Sequence, residues 1–226
     1  METKFNVEEM VEFKRKLERR QGLVVPSVRR SGGVALLWKD SMLVDVHTYS
    51  PSHIDAVIME EDENKKWHFT MFYGHPETSK REESWRLLES LSTRSDLPWV
   101  CMGDFNEIRH RGEKEVGGER PEWQMKAFSS AINKSKLRDM SCVGPEFTWS
   151  RRLGAHGWVR ERLDRAMVST NWTSLFPQVR LYNVATCSSD HNMLILKALP
   201  PKSRNKRRQR LFRFEAMWIK ESECDG

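Results

Sequence analysis

The sequence predicts an α+β protein in which two mainly antiparallel sheets pack against each other and helices cover them. Strand-like segments follow one another across short turns between residues 34 and 73, which favours antiparallel pairing. Two later segments, at residues 79–91 and 123–132, repeat apolar residues at helical spacing. Acidic residues stand at the ends of several apolar segments. Packing two sheets face to face, with the helices outside, buries the apolar faces of both kinds of element.

The composition excludes several classes of protein. With 226 residues, 38% of them hydrophobic and 31% charged, the chain is long enough for one sizeable and rather polar domain. No apolar run approaches the length that crosses a bilayer, and the first residues do not resemble a secretory signal. The four cysteines are scattered, which argues against a disulfide scaffold or a structural zinc site. We therefore expect an intracellular monomer with no membrane partner.

The basic charge of the chain is concentrated near its end. The formal net charge is +6, and residues 202–213 contain seven Lys or Arg and no acid, which leaves the other residues at −1. We therefore expect residues 1–200 to form the folded domain and residues 201–226 a basic linker or tail. The candidate nucleic-acid contacts in this tail are Lys202, Arg204, Lys206, Arg207, Arg208 and Arg210. Two alternatives stay open for the tail, a solvated linker and a nuclear-import signal.

The first half of the chain carries helix and strand signals in turn. Asn6 with Glu9 at the third helical position predicts the start of an amphipathic surface helix that ends near Gly22. After a turn at residues 31–33, four strands are predicted, at residues 34–38, 43–49, 54–59 and 67–73. A second helix is predicted from Ser79, with Glu82 as its capping partner. Its apolar face consists of Trp85, Leu88 and Leu91.

The central segment is a short apolar run at residues 99–102, which is typical of a buried strand. It ends at Gly103, where the backbone can turn without a Cβ, and Asp104 and Asn106 follow. If the extended conformation continues, both side chains point the same way from the end of a rigid strand. The carboxylate could then orient a water or bind a metal, and the amide could donate to an anionic oxygen. The alternative is an Asp-x-Asn turn that satisfies its own hydrogen bonds.

The remaining segments complete the two predicted sheets. Residues 107–120 are rich in charge and glycine and predict a long surface loop, a common place for substrate contacts. A third helix follows, with a buried stripe of Trp123, Ala127, Phe128, Ala131 and Ile132. Short strands are predicted at residues 147–149, 181–186 and 193–199, with a turn at residues 153–157. The pair Pro200-Pro201 ends the folded domain.

Four separate places supply polar side chains at the edge of an apolar element. These are Tyr73, Asp104 with Asn106, Asp164, and Asp190 with His191. An Asp beside a His, together with a second Asp, is the minimum for an oriented imidazole near a metal or a phosphate. A single Asp-His pair is also common in surface turns, so the set and its order carry the functional prediction.

These segments, in this order, give the chain its resemblance to a known family. They are METK at residues 1–4, SGGVALLW at 31–38, YG at 73–74, GDFNE at 103–107, FTW at 147–149, ERLDR at 161–165 and SDH at 189–191. The chain resembles the endonuclease/exonuclease/phosphatase superfamily, which includes DNase I-like nucleases and apurinic endonucleases. Within it, the chain is most similar to the endonuclease domain of plant LINE-type (non-LTR) retrotransposons. The resemblance implies a DNase I-like four-layer α/β sandwich.

The resemblance also implies a role for each residue that matches a motif of the family. Asp104 would orient or deprotonate the attacking water, and Asn106 would bind the scissile phosphate. His191 would contact that phosphate while Asp164 holds its ring, and Tyr73 would donate a hydrogen bond to a phosphate oxygen. The reaction implied is in-line hydrolysis of a phosphodiester in DNA.

A divalent metal is the cofactor that the resemblance implies. Glu2 would be a ligand of Mg²⁺ (or Mn²⁺), and Asp190 would help to hold the metal site. Family members carry an active-site Asn on a strand that precedes this Glu, and no matching strand is found here. We therefore expect a domain that lacks the first strands, with an unpaired sheet edge and a frayed Glu2.

The resemblance leaves three functions open. The first is a Mg²⁺-dependent DNA endonuclease domain of retrotransposon origin, truncated and weakly active or inactive. The second is a non-catalytic, nucleic-acid-associated remnant, and the third is a phosphatase of the same superfamily. Residues 212–218 resemble the segment that leads toward a reverse transcriptase, a domain that we expect to be missing. A nuclear location is expected for each nucleic-acid function.

Overall fold

The computed structural model describes residues 21–28, 31–60, 65–154, 157–187 and 189–198, together with Glu12 and Arg15. Glu2 and the basic tail at residues 201–226, with its six candidate nucleic-acid contacts, lie outside the described residues. So does most of the helix predicted at residues 6–22, of which Glu12 and Arg15 are helical and residues 21 and 22 belong to a strand. No helix in the described part of the chain is long and apolar enough to cross a membrane.

Apart from Glu12 and Arg15, the described residues form fourteen strands, three α-helices and two short 3₁₀ turns. The strands are β1 (Gln21–Val28), β2 (Ser31–Trp38), β3 (Met42–Ser50), β4 (His53–Glu60), β5 (Lys65–Tyr73), β6 (Trp99–Asp104), β7 (Lys114–Glu115), β8 (Arg138–Asp139), β9 (Cys142–Val143), β10 (Trp149–Arg152), β11 (Trp158–Glu161), β12 (Asp164–Val168), β13 (Val179–Val184) and β14 (Met193–Ala198). The helices are α1 (Arg81–Ser92), α2 (Glu122–Lys134) and α3 (Thr170–Leu175), and the 3₁₀ turns are Thr78–Lys80 and Arg111–Glu113.

One six-stranded sheet organises the fold, with the order β3-β4-β5-β6-β12-β8. All its neighbours are antiparallel except β5 and β6, which are parallel because α1 forms the crossover between them. The other strands form the hairpin β1-β2 and two three-stranded sheets, β14-β13-β9 and β10-β11-β7. The predicted α+β architecture of packed, mainly antiparallel sheets is confirmed.

Apolar side chains cover both faces of the six-stranded sheet. On one face, Phe72 and Phe105 stack with ring centroids 4.9 Å apart and pack against the helices α1 and α2. The helices meet there through Trp85 and Phe128, whose rings stack at 4.6 Å. On the other face, Val100 and other apolar side chains pack against α3 and the strands β13 and β14. The strand β6 is therefore buried on both faces and gives a rigid base for whatever follows it.

Two predicted element boundaries are wrong. The strand β1 occupies residues where the end of a helix was expected, because it pairs along its length with β2. Helix α1 begins at Arg81 and not at Ser79, and no side chain caps it. Within the first turn of the helix, the hydroxyl of Ser84 accepts a hydrogen bond from the backbone N–H of His75, at 2.8 Å.

Two predictions of exposure are also wrong. Trp123 is 64% exposed, because Gln124 and Met125 form the buried face in the first turn of α2, whereas Phe128, Ala131 and Ile132 are buried as predicted. The segment 107–120 is not a simple surface loop, since Glu107 and Glu113 are almost fully buried in it. Their carboxylates pair with arginines that are distant in the sequence, a pairing that local charge patterns cannot reveal.

Candidate active site

The ends of three neighbouring strands bring the first candidate residues together. Asp104 closes β6, and its register partners are Asp164 at the start of β12 and Tyr73 at the end of β5. Register partners share a face of the sheet, so all three side chains point to the same side. Gly103 permits this arrangement, because a Cβ at this position would overlap the carbonyl oxygen of Phe72.

Asn106 does not continue the strand, as the sequence suggested it could. Its φ of +53° places it in the left-handed region, which Asn tolerates better than most residues. Its backbone N–H donates to Oδ1 of Asp104 at 2.8 Å, and its Nδ2 donates to the carbonyl oxygen of Gly74 at 2.8 Å. The Asp-x-Asn turn that the sequence left open as the alternative is therefore formed, and it engages Oδ1 of Asp104 and one N–H of the Asn106 amide.

His191 reaches this place from the second layer of strands. Its backbone forms a bridge with Trp149, just before β14 begins. Its Nδ1 lies 2.9 Å from Oδ2 of Asp164, and its Nε2 lies 4.0 Å from Oδ2 of Asp104. The carboxylate of Asp164 therefore orients the ring, with Nε2 turned toward Asp104 and open space.

Two neighbours that we did not predict hold this arrangement in place. The buried hydroxyl of Thr148 accepts from the backbone N–H groups of Leu163 and Asp164, at 3.0 and 2.9 Å. The indole N–H of Trp149 donates to Oδ2 of Asp190 at 3.1 Å. Both residues belong to the FTW motif, so the motif was the available signal, but the sequence alone assigns neither role.

A buried ion pair fixes the segment that follows Asn106. The carboxylate of Glu107 is fully buried and accepts from Nη1 of Arg81 at 2.6 Å and from the N–H of Ile108 at 3.0 Å. Arg81 also donates to the carbonyl oxygens of His75 and Pro76, both at 3.3 Å. The loops after β5 and β6 are thereby tied to each other and to the start of α1.

Burial and charge change the proton affinities at this site. Burial raises the pKa of Asp104 to about 7, with a smaller contribution from the nearby Asp164. For His191 burial by itself would lower the pKa, but the hydrogen bond and charge of Asp164 outweigh it, so the pKa is raised. At neutral pH the site therefore combines a carboxyl group that can take up a proton with an imidazole that tends to hold one.

Comparison with known proteins places this site in a family. A sequence profile described as the endonuclease/exonuclease/phosphatase family matches residues 2–191. The chain belongs to the endonuclease/exonuclease/phosphatase family. A search of curated proteins gave no match.

Solved structures with the same fold include an endonuclease domain, a toxin and a phosphatase. The endonuclease domain of TRAS1, a telomere-specific non-LTR retrotransposon, is 13% identical, with a TM-score of 0.59 over 80% of this chain and 81% of that one. Beta toxin from Staphylococcus aureus is 14% identical, with a TM-score of 0.57 over 88% and 85% of the two chains. A mannosyl-6-phosphatase from Bacteroides thetaiotaomicron is 15% identical, with a TM-score of 0.54 over 86% and 82%. These likenesses establish the fold, and the profile match confirms the resemblance to this superfamily.

Several side chains at this site of the endonuclease/exonuclease/phosphatase family member could bind a divalent metal. Asp104, Asp164 and His191 offer ligand atoms that all lie within 4.8 Å of one another. Asp190 is exposed, and the bond from Trp149 orients its carboxylate. Carboxylate oxygens are the ligands that Mg²⁺ and Mn²⁺ prefer, so the residues fit such an ion. Of the two ligands expected from the sequence, Asp190 borders this group and Glu2 lies outside the described residues.

The side chain of Tyr73, unlike those of the other candidates, is packed in an apolar cluster. Its ring is 5% exposed and packs with Val25, Val34 and Ile54 between the six-stranded sheet and the hairpin β1-β2. Its register with Asp104 still puts its backbone beside the site. In this family member, Tyr73 therefore contributes to the apolar core as well as standing next to the candidate catalytic residues.

Proposed function

We propose that the chain is a metal-dependent phosphodiester hydrolase that acts on DNA. The observation that carries the proposal is the arrangement of His191, whose Nδ1 is held by Asp164 and whose Nε2 faces Asp104. An imidazole fixed by one carboxylate and facing a second is suited to stabilising a phosphate while the second carboxylate handles the attacking water.

The proton affinities support a division of roles within this group. Because its pKa is about 7, Asp104 is in part ionised at neutral pH and can take a proton from a water beside it. His191, with its raised pKa, presents an Nε2–H that can donate to a phosphate oxygen. Asn106 has a second amide N–H besides the one bonded to Gly74, and this hydrogen can orient the same phosphate.

Mg²⁺ or Mn²⁺ is the metal proposed for this site. Asp190 would hold the ion together with Glu2. Asp104 would act on the attacking water. When bound, such an ion offsets negative charge on the phosphate and on the leaving oxygen. The protein itself contributes the oriented imidazole, the carboxyl group of matched pKa and the rigid strand end that positions them.

DNA is the substrate class that the surface beside the site supports. The hairpin of β10 and β11 starts at Trp149, next to His191, and carries the exposed side chains of Arg151 and Arg152. Trp158, 48% exposed, stands opposite Arg152 in the same hairpin. Cations beside an exposed aromatic ring suit a charged backbone with stacking bases better than a small phosphoester.

A phosphatase remains the second candidate. The similarity in fold to a mannosyl-6-phosphatase favours it, because the same scaffold carries that reaction. The two activities separate by substrate, since a phosphatase would release inorganic phosphate from a small monoester and leave DNA intact. A non-catalytic remnant would do neither.

The decisive experiment is nicking of supercoiled plasmid by the full chain with Mg²⁺, Mn²⁺ or EDTA. We expect slow nicking that needs the metal and that is abolished in His191→Ala and Asp104→Ala. The matched control is His47→Ala, because His47 also pairs with an aspartate, Asp45, at 3.3 Å but on the exposed face of β3. This control should nick as the wild type does.

Two results would contradict the proposal. One is nicking of equal rate in wild type and His191→Ala, which would show a contaminating nuclease. The other is release of phosphate from sugar monophosphates, dependent on His191, without any nicking of DNA. The first outcome removes the evidence for catalysis, and the second assigns the site to the phosphatase reaction.

A further inference from the structure

The layer of strands that covers one face of the six-stranded sheet consists of two pieces. The hairpin β1-β2 packs on Ile54 and Tyr73, with Met71 beside them. The small sheet β14-β13-β9 packs on Val100, with Phe69 beside it. Among the described residues, no strand pairing joins the hairpin to the small sheet. The two pieces therefore cover neighbouring parts of the large sheet without forming one continuous layer.

An apolar cavity of about 190 Å³ opens where the two pieces meet. Phe69 and Met71, which pack with different pieces, both line it, and Leu194 lines it from β14. Its polar lining residues, Asp164 and Asn192, already have hydrogen-bond partners. An apolar side chain is therefore the group that suits this cavity, because it would supply the contacts that the apolar walls lack.

The strand β14 has a free edge beside the cavity. It pairs with β13 on one side and has no partner on the other among the residues that the structure describes. Residues 193–196 are all apolar, yet none of them is fully buried, and Met193 is 42% exposed. Such a run is typical of a strand in the interior of a sheet, and a free edge is a template for pairing with another segment.

The segment FEAMWI at residues 214–219 has the pattern of a strand that could pair there. Phe214, Ala216 and Trp218 alternate with the other residues and would form one continuous apolar face. The connection at residues 199–213 spans roughly 50 Å when extended, so the segment can turn back and run antiparallel to β14. The helix predicted at residues 6–22 is less suitable, because its apolar residues keep helical spacing.

We infer that residues 214–219 add to the free edge of β14 as an antiparallel strand, with Trp218 over the apolar cavity. One register suits both faces of this strand. On the inner face, Trp218 lies opposite Leu194, which lines the cavity. On the outer face, Glu215 lies opposite Lys197, Met217 opposite Ile195, and Ile219 opposite Met193.

The neighbouring registers are unfavourable. A shift by one residue turns the carboxylate of Glu215 toward the apolar interior. A shift by two residues in one direction places Arg213 opposite Lys197, where the like charges repel, and in the other direction it leaves Glu215 without a cation opposite. The inference does not depend on hydrolysis at the candidate active site.

Disulfide trapping in the full chain tests this register. The double variant Ile195→Cys/Met217→Cys puts two thiols opposite each other, within the distance that a disulfide spans. The matched control is Ile195→Cys/Ala216→Cys, because residue 216 faces the other side of the strand. After mild oxidation and peptide mapping, we expect at least roughly tenfold more disulfide between positions 195 and 217 than between 195 and 216. The mapping also separates these bonds from any that involve the exposed natural thiol of Cys187.

Amide hydrogen exchange gives a second readout that needs no new thiols. Trp218→Asp should raise the exchange rates of the β14 amides at least about tenfold, because it removes the apolar anchor of the added strand. Trp123→Asp is the control, since Trp123 is 64% exposed on α2, and it should leave these rates unchanged. Glu215→Lys should raise them roughly two- to fivefold, and its combination with Lys197→Glu should restore them.

Three results would overturn the inference. Equal disulfide yields in the two double variants, or β14 exchange rates that Trp218→Asp leaves unchanged, would show that this segment does not occupy the edge. The third result concerns a mixture of Ile195→Cys chains with Met217→Cys chains. If disulfides between these chains form as readily as the disulfide within the double variant, a second copy of the chain supplies the strand.

Discussion

Replacing Asp104 by Asn should stabilise the protein at neutral pH, although it removes a proposed catalytic group. Asp104 is 4% exposed, and burial raises its pKa from an ordinary value of 3.8 to about 7. Each unit of difference corresponds to about 1.4 kcal/mol, so the ionised carboxylate costs the fold up to about 4 kcal/mol. The amide oxygen of Asn can still accept the 2.8 Å bond from the N–H of Asn106. The variant therefore loses the charge and keeps the contact.

The sign of the pH dependence follows from the direction of this shift. A carboxyl group whose pKa is raised by folding stabilises the folded state below its unfolded pKa, and this stability is lost as the pH rises through about 7. The advantage of Asp104→Asn should therefore be close to zero near pH 4 and grow to about 2–4 kcal/mol at pH 8. His191 acts in the same direction in the wild type, since its pKa is also raised.

Urea unfolding of both proteins at several pH values between 4 and 8, in EDTA, measures this difference. Asp96→Asn is a suitable control, because Asp96 is exposed and its replacement should change stability little at any pH. An advantage of Asp104→Asn that stays constant with pH, or a wild type that is the more stable at pH 8, would refute the reasoning about burial.

Three further outcomes are expected. Thr148→Val should cost about 2–4 kcal/mol of unfolding free energy by urea titration and slow any nicking, because two buried N–H groups, one of them that of Asp164, lose their acceptor. Glu113→Ala should cost about 3–5 kcal/mol, because it leaves Arg165 buried without its main partner. In the wild type, burial acts to raise the pKa of Glu113, but the arginines outweigh it and the pKa is lowered. The contribution of Glu113 to stability is therefore present when the pH is above the ordinary pKa of 4.5, and it is lost as the pH falls below that value. Removing residues 202–226 should make the salt dependence of DNA binding shallower, measured by fluorescence anisotropy, and the seven tail cations can contribute at most about −6 to the slope of the full chain.

The strands that carry the site could be predicted because their own residues specify them. The β4, β5 and β6 segments are bounded by turns and rich in apolar residues, and their positions agree with the prediction within two residues. The strand β1 could not be found in this way, since it contains Gly22 and Pro26 and depends on pairing with β2. Strand formation there is a property of two segments and not of one.

The candidate site shows the same division between local and distant causes. Asp104, Asp164 and His191 follow from their motifs, and the structure brings them together. The support from Thr148 could not be predicted, because it depends on which backbone N–H groups lie near its hydroxyl in the folded chain. The Asp-x-Asn turn was one of the two predictions for its segment, but the bond from the Asn106 amide to the Gly74 carbonyl could not be predicted, since that carbonyl belongs to the loop after β5.

The division of the site between two layers gives it a characteristic sensitivity to partial opening. Asp104 and Asp164 lie on the six-stranded sheet, whereas His191 arrives with the small sheet of β13 and β14. If the small sheet opens while the large one stays folded, the imidazole leaves its carboxylates although most of the protein is intact. When the His191–Asp164 contact is lost, the rate of amide hydrogen exchange should therefore rise more in β13 and β14 than in β5 and β6. A substitution that loosens the small sheet can in this way silence the site without lowering the temperature of global unfolding.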